Sequence, residues 1–195
     1  MENRSKQAPF MEVRQITTVG MLSAISIILG VSGCGFIPLP LAKATIMHLP
    51  VIIGAILEGP KAGMLIGFMF GGFSLIQNIM SPNLLSFAFL NPLVSVLPRV
   101  MIGLTAFCTY RLVKTRNENV RIAAAAAAGS LTNTAGVLGM IYVLYAAQYA
   151  HAKGIAASLA AKTIFGVAYT NGIAEAVVAV IITVAVVASV RKVRK

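Results

Sequence analysis

Hydrophobic residues fall in long blocks along the chain, and Gly, Pro and charged residues collect in the gaps between them. The first block, Ile16 to Val31, follows a polar segment carrying Arg4, Lys6 and Arg14. That flank imitates a signal peptide, yet no small-x-small cleavage site leads into a soluble domain and more apolar blocks follow, so the pattern predicts a retained helix. Gly33, Gly35, Pro38 and Pro40 then break the periodicity into a loop. A shorter second helix is predicted from about Thr45 to Leu57, and Glu58-Gly59-Pro60-Lys61 turns the chain into a third, Ala62 to about Ile79, ended by Ser81-Pro82-Asn83. The fourth begins near Asn91-Pro92 and runs to about Val113. A charged connection with Lys114, Arg116, Asn117, Glu118 and Arg121 leads to a fifth, Ile122 to about Ala147. Gln148 to Thr170 is less hydrophobic and reads as a long connection to a sixth helix, Asn171 to Val190, closed by the basic run Arg191-Lys192-Val193-Arg194-Lys195.

A stretch such as Ile173 to Val190 is long enough to cross a hydrocarbon core. With 58% of residues hydrophobic and only 11% charged, the chain has too little polar surface for a soluble domain. The expected fold class is an all-α integral membrane protein with six transmembrane helices. It forms a single membrane domain: a cytoplasmic N-terminal segment over residues 1–14, a bundle over 15–190 and a basic cytoplasmic tail over 191–195. The net charge of +11 would suit nucleic acid, but that needs basic residues clustered on a water-exposed face, and here they sit at the ends of apolar runs. They report topology instead. Placing both termini in the cytoplasm puts Arg4, Lys6, Arg14, Lys61, Arg111, Lys114, Arg116, Arg121, Arg191, Lys192, Arg194 and Lys195 inside. Lys43, Lys153 and Lys162 are then outside, and Arg99 falls within a span. The expected location is the cell membrane, multi-pass, with the longer and irregular outer connections as the binding side. Cys34 and Cys108 lie near opposite membrane faces, so two free thiols are expected, and no His/Cys cluster suggests a metal.

Gly59, Gly63, Gly67 and Gly71 recur every four residues and predict a smooth face where another helix backbone packs closely, within the chain or on a partner. Gly20-xxx-Ala24 is a shorter version on the first helix. A charged side chain at the bilayer centre costs roughly 2.5–3.5 kcal/mol on insertion scales, so each polar residue at depth needs a partner, a cavity or the rim. Arg99 and Glu175 sit at comparable depth with opposite charge. They either pair with each other or serve a ligand, Arg99 offering a fork of donors to a carboxylate. His48, Gln77, Asn78, Asn91, Asn133 and Asn171 are further candidates to bind a polar ligand. No phosphate loop, HExxH motif or Ser/His/Asp set is present, so an enzyme is not expected. The polar groups gather in the outer half, which is a cup and not a channel.

The Gly/Pro-rich loop Gly33 to Pro40, the run His48-Leu49-Pro50-Val51-Ile52-Ile53-Gly54-Ala55-Ile56-Leu57-Glu58-Gly59-Pro60-Lys61-Ala62-Gly63, and Pro98-Arg99-Val100-Met101-Ile102-Gly103 resemble the substrate-binding S component of an energy-coupling factor (ECF) vitamin transporter, most closely its pantothenate-type branch. The resemblance covers about residues 14 to 190. It implies the riboflavin-transporter-like S-component fold and high-affinity capture of a vitamin. It also implies partners: a transmembrane coupling subunit and two ATPase subunits that use the ATP, with no cofactor in this chain. The family's Ala-xxx-Ala docking surface on helix one corresponds here to Gly20 and Ala24. The family's pocket, at the outer ends of helices four to six, corresponds to Arg99, Asn133, Asn171 and Glu175. With no Trp and five Tyr, the chain is poorly supplied for stacking a flavin, and pantothenate, small and anionic, is the best match. Riboflavin, folate, cobalamin and a thiamin precursor stay open as ligands. A small proton-coupled transporter with Glu175 as relay and a ligand-free membrane scaffold are the competing classes.

Overall fold

Glycine and proline set the boundaries of the helices seen in a computed structural model, which describes residues 11–38, 43–82 and 85–193. Arg4, Lys6, Pro40, Asn83, Arg194 and Lys195 lie outside the described residues. The elements in order are helix α1 (Val13–Val31), strands β1 (Phe36–Pro38) and β2 (Lys43–Thr45), then helices α2 (Leu49–Glu58), α3 (Pro60–Met80), α4 (Ser86–Phe89), α5 (Pro92–Ser95), α6 (Leu97–Leu112), α7 (Glu118–Lys153) and α8 (Ala160–Val193). α1, α3, the α5–α6 segment, α7 and α8 are long and apolar enough to cross a membrane, whereas α2 has 10 residues. Large apolar side chains point outward along the long helices, including Ile16, Ile28, Phe68, Ile79, Val143, Val177 and Ile181. Such a surface requires lipid.

α2 is buried on nearly every side, from Leu49 through Ile56, as befits a helix that is apolar all round. Ten residues rise only about 15 Å, half of a hydrocarbon core of about 30 Å. The chain before it is extended: β1 and β2 pair antiparallel, with Phe36 opposite Thr45 and Pro38 opposite Lys43. Thr45 was expected at the start of a helix and instead ends β2. At Gly59, φ is +97°, a conformation that favours glycine, and Pro60 opens α3 at a position where its missing N–H has no intrahelical partner to lose.

The predicted fourth helix is broken into α5 and α6, with α4 ahead of them. Pro98 explains the break. It has no N–H to give to the carbonyl of Val94, so the ladder is interrupted between Val94 and Arg99. The stretch from Gln148 to Thr170 is also mostly helical, contrary to its expected form. α7 continues to Lys153 and ends at Gly154, whose φ of 65° is a left-handed cap, and α8 starts at Ala160. α7 holds 36 residues and kinks at Tyr145, and it exceeds the roughly 20 residues that a hydrocarbon core requires, so its last turns need no apolar pattern.

The glycines of α3 pack within the chain. Gly63 meets Ala55 and Gly103, Gly67 lies on the backbone of Arg99 and Val100, and Gly71 lies on Ser95 and Val96. These pairings run α3 and α6 antiparallel in close contact. Gly59 does not belong to that strip, since it forms the turn and has no atom near its missing β-carbon. Arg14 bonds Glu58 at 3.3 Å and Gln15 bonds the Glu58 carbonyl at 3.0 Å. Tyr110 donates to Glu118 at 3.0 Å, accepts from Arg191 at 2.9 Å and lies against Arg121, while Arg191 also pairs with Glu118. The starts of α1, α3 and α7 and the ends of α2, α6 and α8 thus gather at one end of the bundle. A large apolar cluster around Ile52, Ile66, Ile102 and Ile122 fills one part of the bundle, and a smaller one around Val94, Val137, Ile141 and Ile164 fills another.

Candidate functional site

A cavity of about 450 Å³ has members of both apolar clusters in its wall, Met47 and Phe70 from one, Phe89 and Val137 from the other. Its polar lining is Thr45, Ser74, Gln77, Asn78, Ser81, Arg99, Asn133, Thr134, Asn171 and Glu175. Pockets of roughly 300–1,000 Å³ enclose small organic ligands.

Arg99 is placed by the same two features that shape α6. Gly67 lets α3 come against the Arg99 backbone, which sets Phe70, one turn on, beside the guanidinium; the ring centroids of Phe70 and Phe89 are 5.7 and 5.5 Å from Cζ. Pro98 leaves the Val94 carbonyl without a helical donor, and Arg99 Nη1 takes that place at 2.7 Å. The buried cation is therefore anchored by one carbonyl and two aromatic faces. Its Nε has no hydrogen-bond partner within the described structure, and no bond is made by Nη2. Nε is shielded from solvent, so Nη2 is the donor that stays open.

α7 is seated on α6 where Gly136 packs against Pro98, and Asn133, one turn earlier, reaches the cavity wall. Asn133 is buried and its Oδ1 has no partner. α8 approaches α7 where Gly172 packs against Thr134, which places Glu175 one turn on. Glu175 Oε1 accepts from the Thr45 backbone N–H at 3.0 Å and Oε2 accepts from Thr134 Oγ1 at 2.8 Å. Glu175 and Arg99 share the cavity but form no ion pair with each other, so the expected alternative of mutual neutralisation is not what the geometry shows. Asn171, half-buried on the same wall, makes no side-chain hydrogen bond in the described structure.

Gln77 and Asn78 also line the cavity with their amide nitrogens engaged. Gln77 Nε2 donates to Gly30 O at 3.1 Å; Asn78 Nδ2 donates to Ser74 O and its Oδ1 accepts from Ser86, both at 2.8 Å. Two candidates lie off the wall. Asn91 Oδ1 caps α5 through Leu93 N at 3.0 Å and its Nδ2 donates to Tyr145 Oη at 3.0 Å, at the residue where α7 kinks. His48 is fully buried at the start of α2, and neither ring nitrogen has a hydrogen-bond partner. Gly20 and Ala24 are exposed on α1, with no atom within 4 Å of where a Gly20 β-carbon would lie. Cys34 and Cys108 are exposed and unpaired. Among the described residues, no three His, Cys, Asp or Glu side chains converge on a point that could hold a metal.

Sequence reasoning missed Thr45, Met47, Phe70, Phe89 and Thr134. Apolar and Thr residues inside apolar blocks carry no insertion penalty that would single them out.

The family described as the substrate-specific component of ECF transporters matches residues 14–187 of the chain. The pantothenic acid transporter PanT of Lactococcus lactis subsp. cremoris is 28% identical over 172 residues, which cover 80% of this chain and 82% of the relative. The pantothenate transporter PanT of Leuconostoc mesenteroides is 27% identical over 161 residues, covering 78% and 79%.

Proposed function

The chain belongs to the family of ECF transporter substrate-specific components, and we propose that within that family it captures pantothenate from outside the cell. It is a multi-pass membrane component of a transporter, not an enzyme. One observation carries the choice of ligand. Arg99, Asn133 and Asn171 share a cavity and keep polar atoms without a partner, as does Gln77 at Oε1, whereas Glu175 and Asn78 are engaged by the protein. A ligand that completes this set carries an anionic acceptor for Arg99 and neutral donors and acceptors for the amides. Pantothenate has a carboxylate, an amide and two hydroxyls. Phe70 and Phe89 already face the guanidinium, which leaves them poorly placed to sandwich a flat ring. The names of the two relatives support the same ligand.

In this reading α2 and the extended residues before it complete a sixth crossing, residues 15–190 form the single membrane domain, and residues 1–14 and 191–195 face the cytoplasm. The basic residues flanking the gathered helix ends support that orientation, and the cavity then opens outward. Gly20 and Ala24 lie on the face of α1 that meets the coupling subunit. Two ATPase subunits use the ATP, and this chain needs no cofactor.

The test is purification of the full chain in mild detergent, followed by mass spectrometry of any bound ligand and titration with pantothenate by calorimetry. Pantothenate is expected in the eluate and in the titration, at nanomolar to low micromolar Kd, roughly −12 to −8 kcal/mol. Recovery of a different vitamin, with no heat from pantothenate, refutes the assignment.

A further inference from the structure

We propose that Glu175 is a positioning residue: its carboxylate holds the segment Thr45–His48, of which Thr45 and Met47 line the cavity, and does not read the charge of the ligand. A carboxylate in an apolar bundle must find donors, and Glu175 has two from the protein, the Thr45 backbone N–H at 3.0 Å and Thr134 Oγ1 at 2.8 Å. The two oxygens accept from different elements, Oε1 from β2 and Oε2 from α7. α8 is thereby tied to β2 on one side and to α7 on the other.

The segment it holds is part of the wall. Thr45 ends β2, Met47 lines the cavity two residues on, and the fully buried His48 starts α2. Besides Glu175 on Thr45 N–H, the run is fixed by Gly35 O accepting from Ile46 N at 2.9 Å, Ser26 Oγ donating to Met47 O at 3.1 Å and backbone bonds from the first turn of α2 to Ile46 O and His48 O. Those others are neutral. The bond to Glu175 is charge-assisted and comes from α8, across the cavity lining from the α1 side, so it carries the larger share of the restraint. Without it the Thr45 N–H loses its acceptor, at a cost comparable to a lost hydrogen bond. The unpaired cation of the same cavity, Arg99, makes no contact with Glu175 and remains directed to an anion. A cationic ligand would need Glu175 as its counter-charge, and here that carboxylate already accepts two bonds from the protein.

Glutamine at this position keeps both bonds. Its carbonyl accepts from Thr45 N–H, and its amide donates to Thr134, whose hydroxyl accepts as readily as it donates. Alanine keeps neither. The inference rests on the pantothenate reading only for the probe used in one arm of the test.

The experiment compares the full chain with Glu175→Gln and Glu175→Ala in lipid nanodiscs. Amide exchange of the peptide covering Thr45–His48 is measured without ligand, with a peptide from the middle of α3 as a control for unfolding. Pantothenate dissociation rate and Kd are measured in parallel. Glu175→Ala is expected to speed exchange at Thr45 by about tenfold or more, the consequence of losing a charge-assisted bond. It should speed pantothenate release to a similar degree, with the α3 peptide unchanged. Glu175→Gln should stay within about threefold of the parent on every measure. Unaltered exchange at Thr45 in Glu175→Ala overturns the proposal. So does a Glu175→Gln variant as weak in pantothenate binding as Glu175→Ala, because the charge itself would then be needed. If the parent chain binds no pantothenate, the ligand assignment fails, and the exchange arm still decides whether Glu175 positions this segment.

Discussion

Replacing Arg99 by alanine removes the guanidinium from the cavity and leaves a bound carboxylate without a cation. Arg99 is held before any ligand arrives, by the 2.7 Å bond from Nη1 to Val94 O and by the rings of Phe70 and Phe89. Little side-chain entropy is then lost on binding, so most of the interaction with the guanidinium reaches the measured affinity. Truncating one partner of a buried, hydrogen-bonded charge pair costs about 2–5 kcal/mol. Half-buried Ser74 and Asn171 on the same wall admit solvent, which favours the low end, about 2 kcal/mol or roughly 30-fold in Kd. Calorimetric titration of pantothenate into the purified variant measures this. The primary-alcohol analogue, in which the carboxylate is replaced by CH₂OH, supplies the control. Arg99→Ala should weaken pantothenate by that factor and change the analogue by less than about threefold, the difference being the coupling between guanidinium and carboxylate. Equal losses for the two compounds would refute the reasoning, since Arg99 would then shape the wall without reading the anion. Val94 is fully buried, so its carbonyl loses its donor in the variant, and a lower melting temperature with the fold retained is expected.

Three further outcomes follow from the same contacts. Pro98→Ala restores a backbone N–H that competes for Val94 O, so the ligand-free melting temperature should hold or rise while pantothenate binding weakens by about 1 kcal/mol, roughly fivefold, as Arg99 loses its anchor. Gly67→Ala forces a β-carbon into the Arg99 carbonyl and should lower stability by about 1–3 kcal/mol and affinity with it; Gly72→Ala, with nothing within 4 Å, should do neither, as thermal melts of the pair will report. Ala24→Leu on the exposed face of α1 should leave pantothenate Kd unchanged and reduce recovery of the coupling subunit in a co-purification.

Much of the fold was legible because lipid imposes a simple rule on sequence. Blocks of apolar residues marked α1, α3, α7 and the heart of α8, and Gly59-Pro60 marked the turn between α2 and α3. The rule fails where lipid stops acting. Gln148 to Thr170 lost hydropathy and was expected to be a connection, but α7 and α8 continue through most of it, since a helix beyond the hydrocarbon needs only propensity and a cap such as Gly154. It fails again where backbone partners come from far away. The strands around residues 36–38 and 43–45 are three residues each, too short for a periodic signal, and the Thr45 N–H finds its acceptor 130 positions along the chain. Pro98 was visible, but a proline in the first turn of a helix and a proline that breaks one look alike until the neighbouring elements are placed.

The cost of burying polarity identifies residues that need a partner and is silent on which partner they find. Asn91 and His48 carried the same signal as Asn133 and Arg99. In the folded chain Asn91 gives both ends of its amide to Leu93 and Tyr145, and His48 is enclosed off the cavity wall, whereas Asn133 and Arg99 meet the cavity with atoms left over. Glu175 divides differently again. Its charge made it a natural counterpart to Arg99, yet a β-strand N–H and a threonine take both its oxygens. The discriminating quantity is therefore the remainder after internal bonds are assigned, and that remainder depends on contacts between residues far apart in sequence. On the Arg99 side it is a donor; on Asn133 and Asn171 it is neutral amide. Glu175 gives one acceptor site on each oxygen to the fold. On the reading proposed above, the cavity takes an anion bearing neutral polar groups through a guanidinium whose anchor exists because Pro98 withholds a backbone N–H one residue earlier.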